Sequence, residues 1–407
     1  MTPNGGSDRV YLDHAATTAP DPRVVEAMLP YLRDHWHNPS SIYVEAQRSA
    51  RAIDEARATV AACIGAQPTE IVFTAGGSEA DNLALRGVVD ATAGRATAGR
   101  GQHIVTTAVG HHAVLDTAEQ LEREGVEVTV LGVDREGAVD PAAVEAAVRD
   151  DTVLVSVMHA NNEVGTLNPI AEIARRVHDR NPRTAVHTDA VQSTAHLEVH
   201  VERLGVDLLS MAAHKLYGPR GAGVLYVRAG TPIAPQILGG GQERNLRAGT
   251  ENTAAIVGMA EAARLVAEER EADLGRDRAL QQRLLEELPR KVPGLHITGF
   301  KDPERRLPNS FSCCFERVEG EAVLLQLDLK GISASSGSAC TTASLEPSHV
   351  LLALGVPHDL ARGSLRITLG KGNTMEEIDR LLDVIPDSVE RLRALAPQAT
   401  RQTTRTS

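Results

Sequence analysis

The chain has 407 residues, enough for two domains and a large core, and its net charge of −12 argues against non-specific nucleic-acid binding through a basic face. No stretch approaches the ~18 apolar residues of a membrane span, and the start, Met1-Thr-Pro-Asn-Gly-Gly-Ser-Asp, lacks the basic and apolar regions of a secretory signal. Four cysteines (Cys63, Cys313, Cys314, Cys340) fit neither a disulfide framework for this size nor a zinc pattern, which points to a reducing cytoplasm, and a 2% aromatic content leaves the core to Ala, Val, Leu and Ile.

In chain order, short apolar runs alternate with helical patterns from about residue 70 to 230. The runs are Ile71–Phe73, His103–Val105, Val126–Val130, Val153–Val157, Thr184–His187, Val206–Leu209 and Val224–Val227. Helical stretches between them include Asp81–Val89, Ala113–Arg123, Pro141–Arg149 and Ile170–Arg180. This alternation predicts an α/β fold with a mostly parallel sheet covered by helices on both faces. A long helical pattern from Asn252 to about Leu288 carries the chain onward. Strands near Leu295–Thr298, Asn309–Phe315, Ile332–Ala334 and Gly363–Thr368 then alternate with helices near Glu319–Leu329, Ser348–Leu354 and Thr374–Leu395, as in a smaller α/β domain. The repetitive insert Ala91–Gly101 reads as a mobile surface loop, and the polar tail 397–407 as disordered.

Several positions carry chemistry. The run from Val206 to Met211 delivers Lys215 into a turn rich in glycine and proline. An amine at the end of a buried strand is placed to have its pKa lowered and to form a Schiff base with an aldehyde cofactor, although most lysines are simply solvated. Upstream, Asp189 ends another apolar stretch, with Gln192 three residues later. A carboxylate there can keep a pyridinium nitrogen protonated, and Gln192 can reach a ring hydroxyl; an aspartate after a strand is also a common helix N-cap. Ligands of open α/β sheets gather at the carboxyl ends of strands, which favours the cofactor reading. Gly76-Gly77-Ser78, between a strand and a helix, suits a phosphate at a helix N-terminus; alone it would be read as a turn. Neither a Walker loop nor a dinucleotide fingerprint is present. Cys340 lies in Ser335-Ser-Gly-Ser-Ala-Cys-Thr-Thr-Ala-Ser, a small polar stretch that offers a thiol exposure and mobility. Cys63, Cys313 and Cys314 lie in helix and strand patterns and read as core thiols.

From Tyr11 to about Arg393 the chain resembles the pyridoxal-phosphate cysteine desulfurases that supply sulfur for iron–sulfur clusters, nitrogenase maturation and tRNA thiolation. The resemblance rests on Tyr11-Leu-Asp-His-Ala-Ala-Thr-Thr, Asn38-Pro-Ser-Ser, Phe73-Thr-Ala-Gly-Gly-Ser-Glu-Ala-Asp-Asn and His159-Ala-Asn-Asn-Glu-Val-Gly-Thr. It continues through the Asp189 and Lys215 segments, Gly239-Gly-Gly-Gln-Glu-Arg, Arg247-Ala-Gly-Thr and the Cys340 stretch. It implies the fold type I architecture of pyridoxal-phosphate transferases: a large domain (21–260) with a seven-stranded sheet, and a small domain (261–396) joined by residues 1–20. It further implies that His111 stacks on the pyridine ring, that Asn162 lies near the phenolic oxygen and substrate, and that His214, Gly77 and Ser78 meet the phosphate of pyridoxal 5′-phosphate. Thr250 is expected to reach the phosphate of a neighbouring subunit in a homodimer, Arg366 to bind the carboxylate of L-cysteine, and Cys340 to accept sulfur as a persulfide for a sulfur-acceptor protein. No direct nucleic-acid or membrane partner is expected. Two departures stand out. Gly110 replaces the acidic residue usual before the stacking histidine, and Ala212 replaces a serine, which should remove one phosphate hydrogen bond. A selenocysteine lyase or other class V enzyme is the nearest rival, and a non-catalytic scaffold a more distant one.

Overall fold

The computed structural model describes residues 9–93, 102–337 and 346–395; the repetitive insert from 94 to 101, Cys340 within 338–345, and the tail from 396 lie outside them. In order come β1 (Val10–Tyr11), α1 (Pro22–Arg33), α2 (Val44–Ile64), β2 (Ile71–Thr74), α3 (Gly77–Thr92), β3 (His103–Thr107), α4 (His112–Arg123), β4 (Glu127–Leu131), α5 (Pro141–Ala147), β5 (Thr152–Ser156), α6 (Ile170–Arg180) and β6 (Ala185–Asp189). Then follow α7 (Val201–Leu204), β7 (Leu208–Ala212), β8 (Gly223–Val227), α8 (Thr253–Lys291), β9 (Leu295–Ile297), β10 (Ser310–Phe315), α9 (Gly320–Leu329), β11 (Ile332–Ser333), α10 (His349–Ala353), α11 (His358–Ala361), β12 (Ser364–Thr368) and α12 (Met375–Leu395).

Seven strands form one sheet in the order β2-β8-β7-β6-β5-β3-β4. Only β8 runs antiparallel to its neighbours, so the expected mostly parallel sheet is what the chain builds. Strands β3, β6, β7 and β8 are buried along their whole length, as a sheet covered on both faces requires. Alternate residues feed two cores. Val155, Val186 and Leu209 join one with α6 and the first half of α8; Leu154, Ala185 and Leu208 join the other with α3 and α4.

Local sequence explains the covering helices. In α6 the buried residues Ile170, Ile173, Ala174 and Val177 recur at helical spacing, which gives one apolar stripe. Burying each of its larger side chains contributes about 1.5–3 kcal/mol relative to exposure. Proline at its first position and Asp140, which accepts Ala142 N–H at 2.9 Å, start α5. Several boundaries differ from the sequence expectation by a few residues, one of them for a visible reason. Helix α5 ends at Ala147 because Val148 turns to extended backbone.

A second core surrounds the antiparallel sheet β12-β10-β9, and β1 pairs with β11 beside it. The continuous helix α8 serves both regions, placing Ile256 and Met259 in the first core and Leu280, Leu284 and Leu288 in the second. Strand order reverses at β3, which has β4 on one side and β5 on the other. A crevice at the carboxyl ends of the strands is therefore the place to look for a site.

Candidate active site

At those strand ends a cavity of about 610 Å³ opens between the two sheets. On the seven-stranded side, β2 passes through Ala75 and Gly76 into α3, whose first residues, Gly77 and Ser78, line the cavity. Gly77 is required by space. A Cβ there would come within 2.8 Å of Val191 Cγ2, and 3.5 Å from it lies the methyl of Ala212. The substituted serine position thus does adjoin this turn. His111 caps α4, its Nδ1 accepting Ala113 N–H at 3.1 Å. Asp189 ends β6 and accepts Val191 N–H at 2.9 Å, so it is both a local cap and a cavity residue.

Lys215 lies beyond β7 in a short turn of 3-10 helix. Its Nζ donates to the carbonyls of Ala15 and Ala16, at 2.7 Å for the latter. The N-terminal segment grips this turn elsewhere too. Thr18 donates to His214 O at 3.0 Å and accepts Tyr217 N–H at 2.8 Å, while His214 Nδ1 is 3.2 Å from Thr17 Oγ1. These bonds offset the left-handed backbone of Tyr217, at φ 61°, which costs a side-chain-bearing residue about 1 kcal/mol or more. Gln192 reaches the same segment, donating to Ala15 O at 3.1 Å.

Arg366, on β12, supplies the opposite wall. It is 3% exposed, so it is no solvent-facing strand arginine. Its Nη1 donates to Asn162 O at 3.0 Å and its Nη2 to Asp13 Oδ1 at 2.8 Å. Beside it Glu163 accepts a hydrogen bond from Ser348, the residue that caps α10.

Burial dominates the electrostatics. It pushes the Asp189 carboxyl above its ordinary range, opposed by His111. It lowers His111, with Asp189 pulling the other way, and holds His214 at about 4, helped by Lys215. Glu163 rises to about 7 for the same reason, although Ser348 and Arg366 favour its anion. The buried thiols move the same way: Cys314 to about 12, Cys313 well up, Cys63 raised.

Gly77, Ser78, His111, Asp189 and Lys215 therefore share one cavity with Gln192, His214, Asn162 and Arg366, although they are spread over 290 positions of the chain. Thr250 is exposed and not on this wall, and Cys340 falls outside the described residues, whose flanking positions Gly337 and Glu346 do line the cavity. Sequence reasoning missed three carboxyl groups here: Asp13, Asp81 and Glu163. Each stood inside a motif already singled out, in Tyr11-Leu-Asp, in Ser78-Glu-Ala-Asp and in Asn162-Glu, but nothing local distinguished it. The set can hold an anionic group at the α3 N-terminus, an amine and a buried carboxylate around a ring, and a carboxylate at Arg366.

Residues 10–381 match the family model described as "Aminotransferase class-V". A cysteine desulfurase IscS of Dictyoglomus turgidum is 47% identical over 388 residues, covering 95% of this chain and 96% of that protein. Among solved structures, a NifS-like protein superposes with a TM-score of 0.87 at 38% identity, covering 94% of this chain and 100% of its own. A structure titled SspA in complex with cysteine gives a TM-score of 0.76 at 35% identity over 88% of this chain and 98% of that one. The chain belongs to the class V aminotransferase family and, within it, to the cysteine desulfurases.

Proposed function

We propose that this cavity holds pyridoxal 5′-phosphate and converts L-cysteine to L-alanine, passing the sulfur to Cys340 as a persulfide. Enzymes of this family depend on that cofactor in general. The residues present suit it. Lys215 offers the amine and Asp189 a buried carboxylate, while the N-terminus of α3 at Gly77 and Ser78 offers backbone N–H groups for a phosphate. When bound, the cofactor supplies an electron sink that loosens the bonds around the substrate Cα.

The chain's own groups do the rest. Arg366 binds the substrate carboxylate and Asn162 the group beside it. Asp189 would hold the ring nitrogen's proton, and His111, whose pKa is lowered by burial, would help move protons beside it. Gln192 and His214 would hold the ring hydroxyl and the phosphate. Lys215 Nζ would take and hold the proton from the substrate Cα. Cys340, as thiolate, attacks the substrate sulfur. The carbon–sulfur bond breaks with its electron pair left on carbon, a proton arrives at Cβ, the proton held by Lys215 returns to Cα to complete alanine, and a sulfur–sulfur bond forms on Cys340. Sulfur is thereby oxidised and carbon reduced, with no outside oxidant. The other three cysteines suit the acceptor role poorly, because burial keeps their thiols protonated.

Thr250, exposed and away from its own chain's cavity, suits contact with the phosphate of a second subunit in a homodimer. A sulfur-acceptor protein would discharge the persulfide, and the cytoplasm is the natural compartment for such thiol chemistry. No described helix is long and apolar enough to cross a membrane. The near-full-length cysteine desulfurase relatives leave the selenocysteine lyase alternative without support.

The observation that carries this reading is the convergence of Lys215, Asp189 and Arg366 on one cavity. Lys215→Ala tests it: alanine formation from cysteine and the visible absorption band of the loaded protein should both disappear, and normal turnover with the band intact would overturn it.

A further inference from the structure

Behind Asp189 the sheet carries a line of polar side chains that apolar packing alone does not require. Ser156, His187, Asp189 and Ser210 share strand parity with Leu154, Ala185 and Leu208, so all four lie on the face that α3 covers. Asp81 projects from α3 onto them and is 1% exposed. His187, fully buried, has Nε2 3.0 Å from Ser210 Oγ and 3.6 Å from Asp81 Oδ1, with Nδ1 2.9 Å from Ser156 Oγ. Ser210 also hydrogen-bonds Asp81, while Asp81 Oδ1 has no partner among the described residues.

Asp81 and Asp189 both line the cavity and are both buried. The charge of Asp189 acts on Asp81, and ionising both desolvated carboxyls on this face is costly, so one of them keeps a proton. The surrounding donors decide which. Asp189 accepts a backbone N–H from Val191, and Lys215 and His111 both act on it electrostatically. Asp81 has a single hydroxyl and one orphaned oxygen, too few donors for an anion and enough acceptors for an acid.

We propose that Asp81 is a protonated carboxylic acid whose O–H donates to Ser210, which donates to His187 Nε2 while His187 Nδ1–H donates to Ser156, so that Asp189 stays the single anion under the cofactor ring. In this chain Asp81, Ser210 and His187 each donate one hydrogen and none is charged. Burial and then the charge of Asp189 push the Asp81 carboxyl well above the usual carboxylate range. Burial likewise holds His187 at about 3, in keeping with a neutral imidazole. Asp81 is thus a positioning residue acting through Asp189, and the inference rests on the assignment of Asp189 to the ring nitrogen.

Two variants of the loaded enzyme test it. Asp81→Asn keeps the shape, the neutrality and an N–H donor. The visible band and its pH midpoint should stay at the wild-type position, and the infrared spectrum at neutral pH should lose one protonated-carboxyl stretch. Ser210→Ala interrupts the chain. Its visible-band midpoint should move by about one pH unit, with kcat for cysteine down about tenfold at constant KM. The proposal fails if Asp81→Asn keeps that stretch or moves the midpoint as far as Ser210→Ala does, since either result means an ionised Asp81. It also fails if Ser210→Ala lowers only the melting temperature, which would mean packing alone. A wild-type protein that shows no visible band with pyridoxal phosphate would instead sink the Asp189 assignment, and the infrared comparison on unloaded protein would still decide the state of Asp81.

Discussion

The cavity wall on the seven-stranded sheet and the wall on the three-stranded sheet hold their charges in different ways. On the first, Asp189 and its neighbours sit in hydrogen bonds to backbone N–H groups, hydroxyls and imidazoles, and burial sets their protonation. On the second, Arg366 is held by the Asp13 carboxylate and the Asn162 carbonyl, with Glu163 alongside. The first wall holds its carboxyl groups through hydrogen bonds and burial. The second keeps an ion pair that an incoming carboxylate can share or exchange, which suits a surface that must take and release an amino acid in each turnover.

The contrast breaks most visibly at Arg366. Arg366→Ala removes the proposed substrate fork and takes away the Arg366 partner of Asp13. Cysteine kcat/KM should fall roughly a hundredfold or more, from two charge-assisted bonds at about 1.5–3 kcal/mol each. The visible band of the loaded protein should remain, because the other wall is untouched. Loss of the band together with turnover would show the two walls to be one unit.

Glu163 should give a change of about 3 kcal/mol in stability, read by denaturant unfolding against pH. Its carboxyl is raised from 4.5 to about 7 in the folded protein. Between those values the folded state holds a proton that the unfolded chain has released, so stability falls as pH rises through the window. Glu163→Gln removes that slope and should gain up to about 3 kcal/mol on the wild type by neutral pH. A parallel pH dependence in both proteins would contradict the buried acid.

The first wall can be sharpened at Ala212, beside the Gly77 turn. Ala212→Ser would restore a hydroxyl for the phosphate and should tighten pyridoxal phosphate binding about tenfold, the scale of one charge-assisted hydrogen bond. Unchanged affinity in a titration of unloaded protein would place the phosphate elsewhere.

The sheet and most of its helices were legible because their signals are local. Helix α6 is visible as apolar spacing, and β6 and β7 as short apolar runs that end in Asp189 and lead to Lys215. Helix α1 gives little signal, since it buries only Val24, and α2 shows itself only around Cys63, because it turns mostly alanines and small residues inward, a weak periodic pattern. The missed site residues depend on distance along the chain. Ser348 meets Glu163 across 185 positions, and Asp13 meets Arg366 across 353. His187 is an intermediate case. It shares a strand face with Asp189 two residues on, which alternation alone reveals, but its tie to Asp81 needs α3 folded over the sheet.

The most direct test of the account is to give the loaded protein L-cysteine carrying heavy sulfur, without reductant, and to measure alanine and the mass of each cysteine-containing peptide. The account predicts equal amounts of alanine and of heavy sulfur on the Cys340 peptide. Heavy sulfur on Cys63, Cys313 or Cys314, or alanine formed with no sulfur retained by the protein, would contradict it.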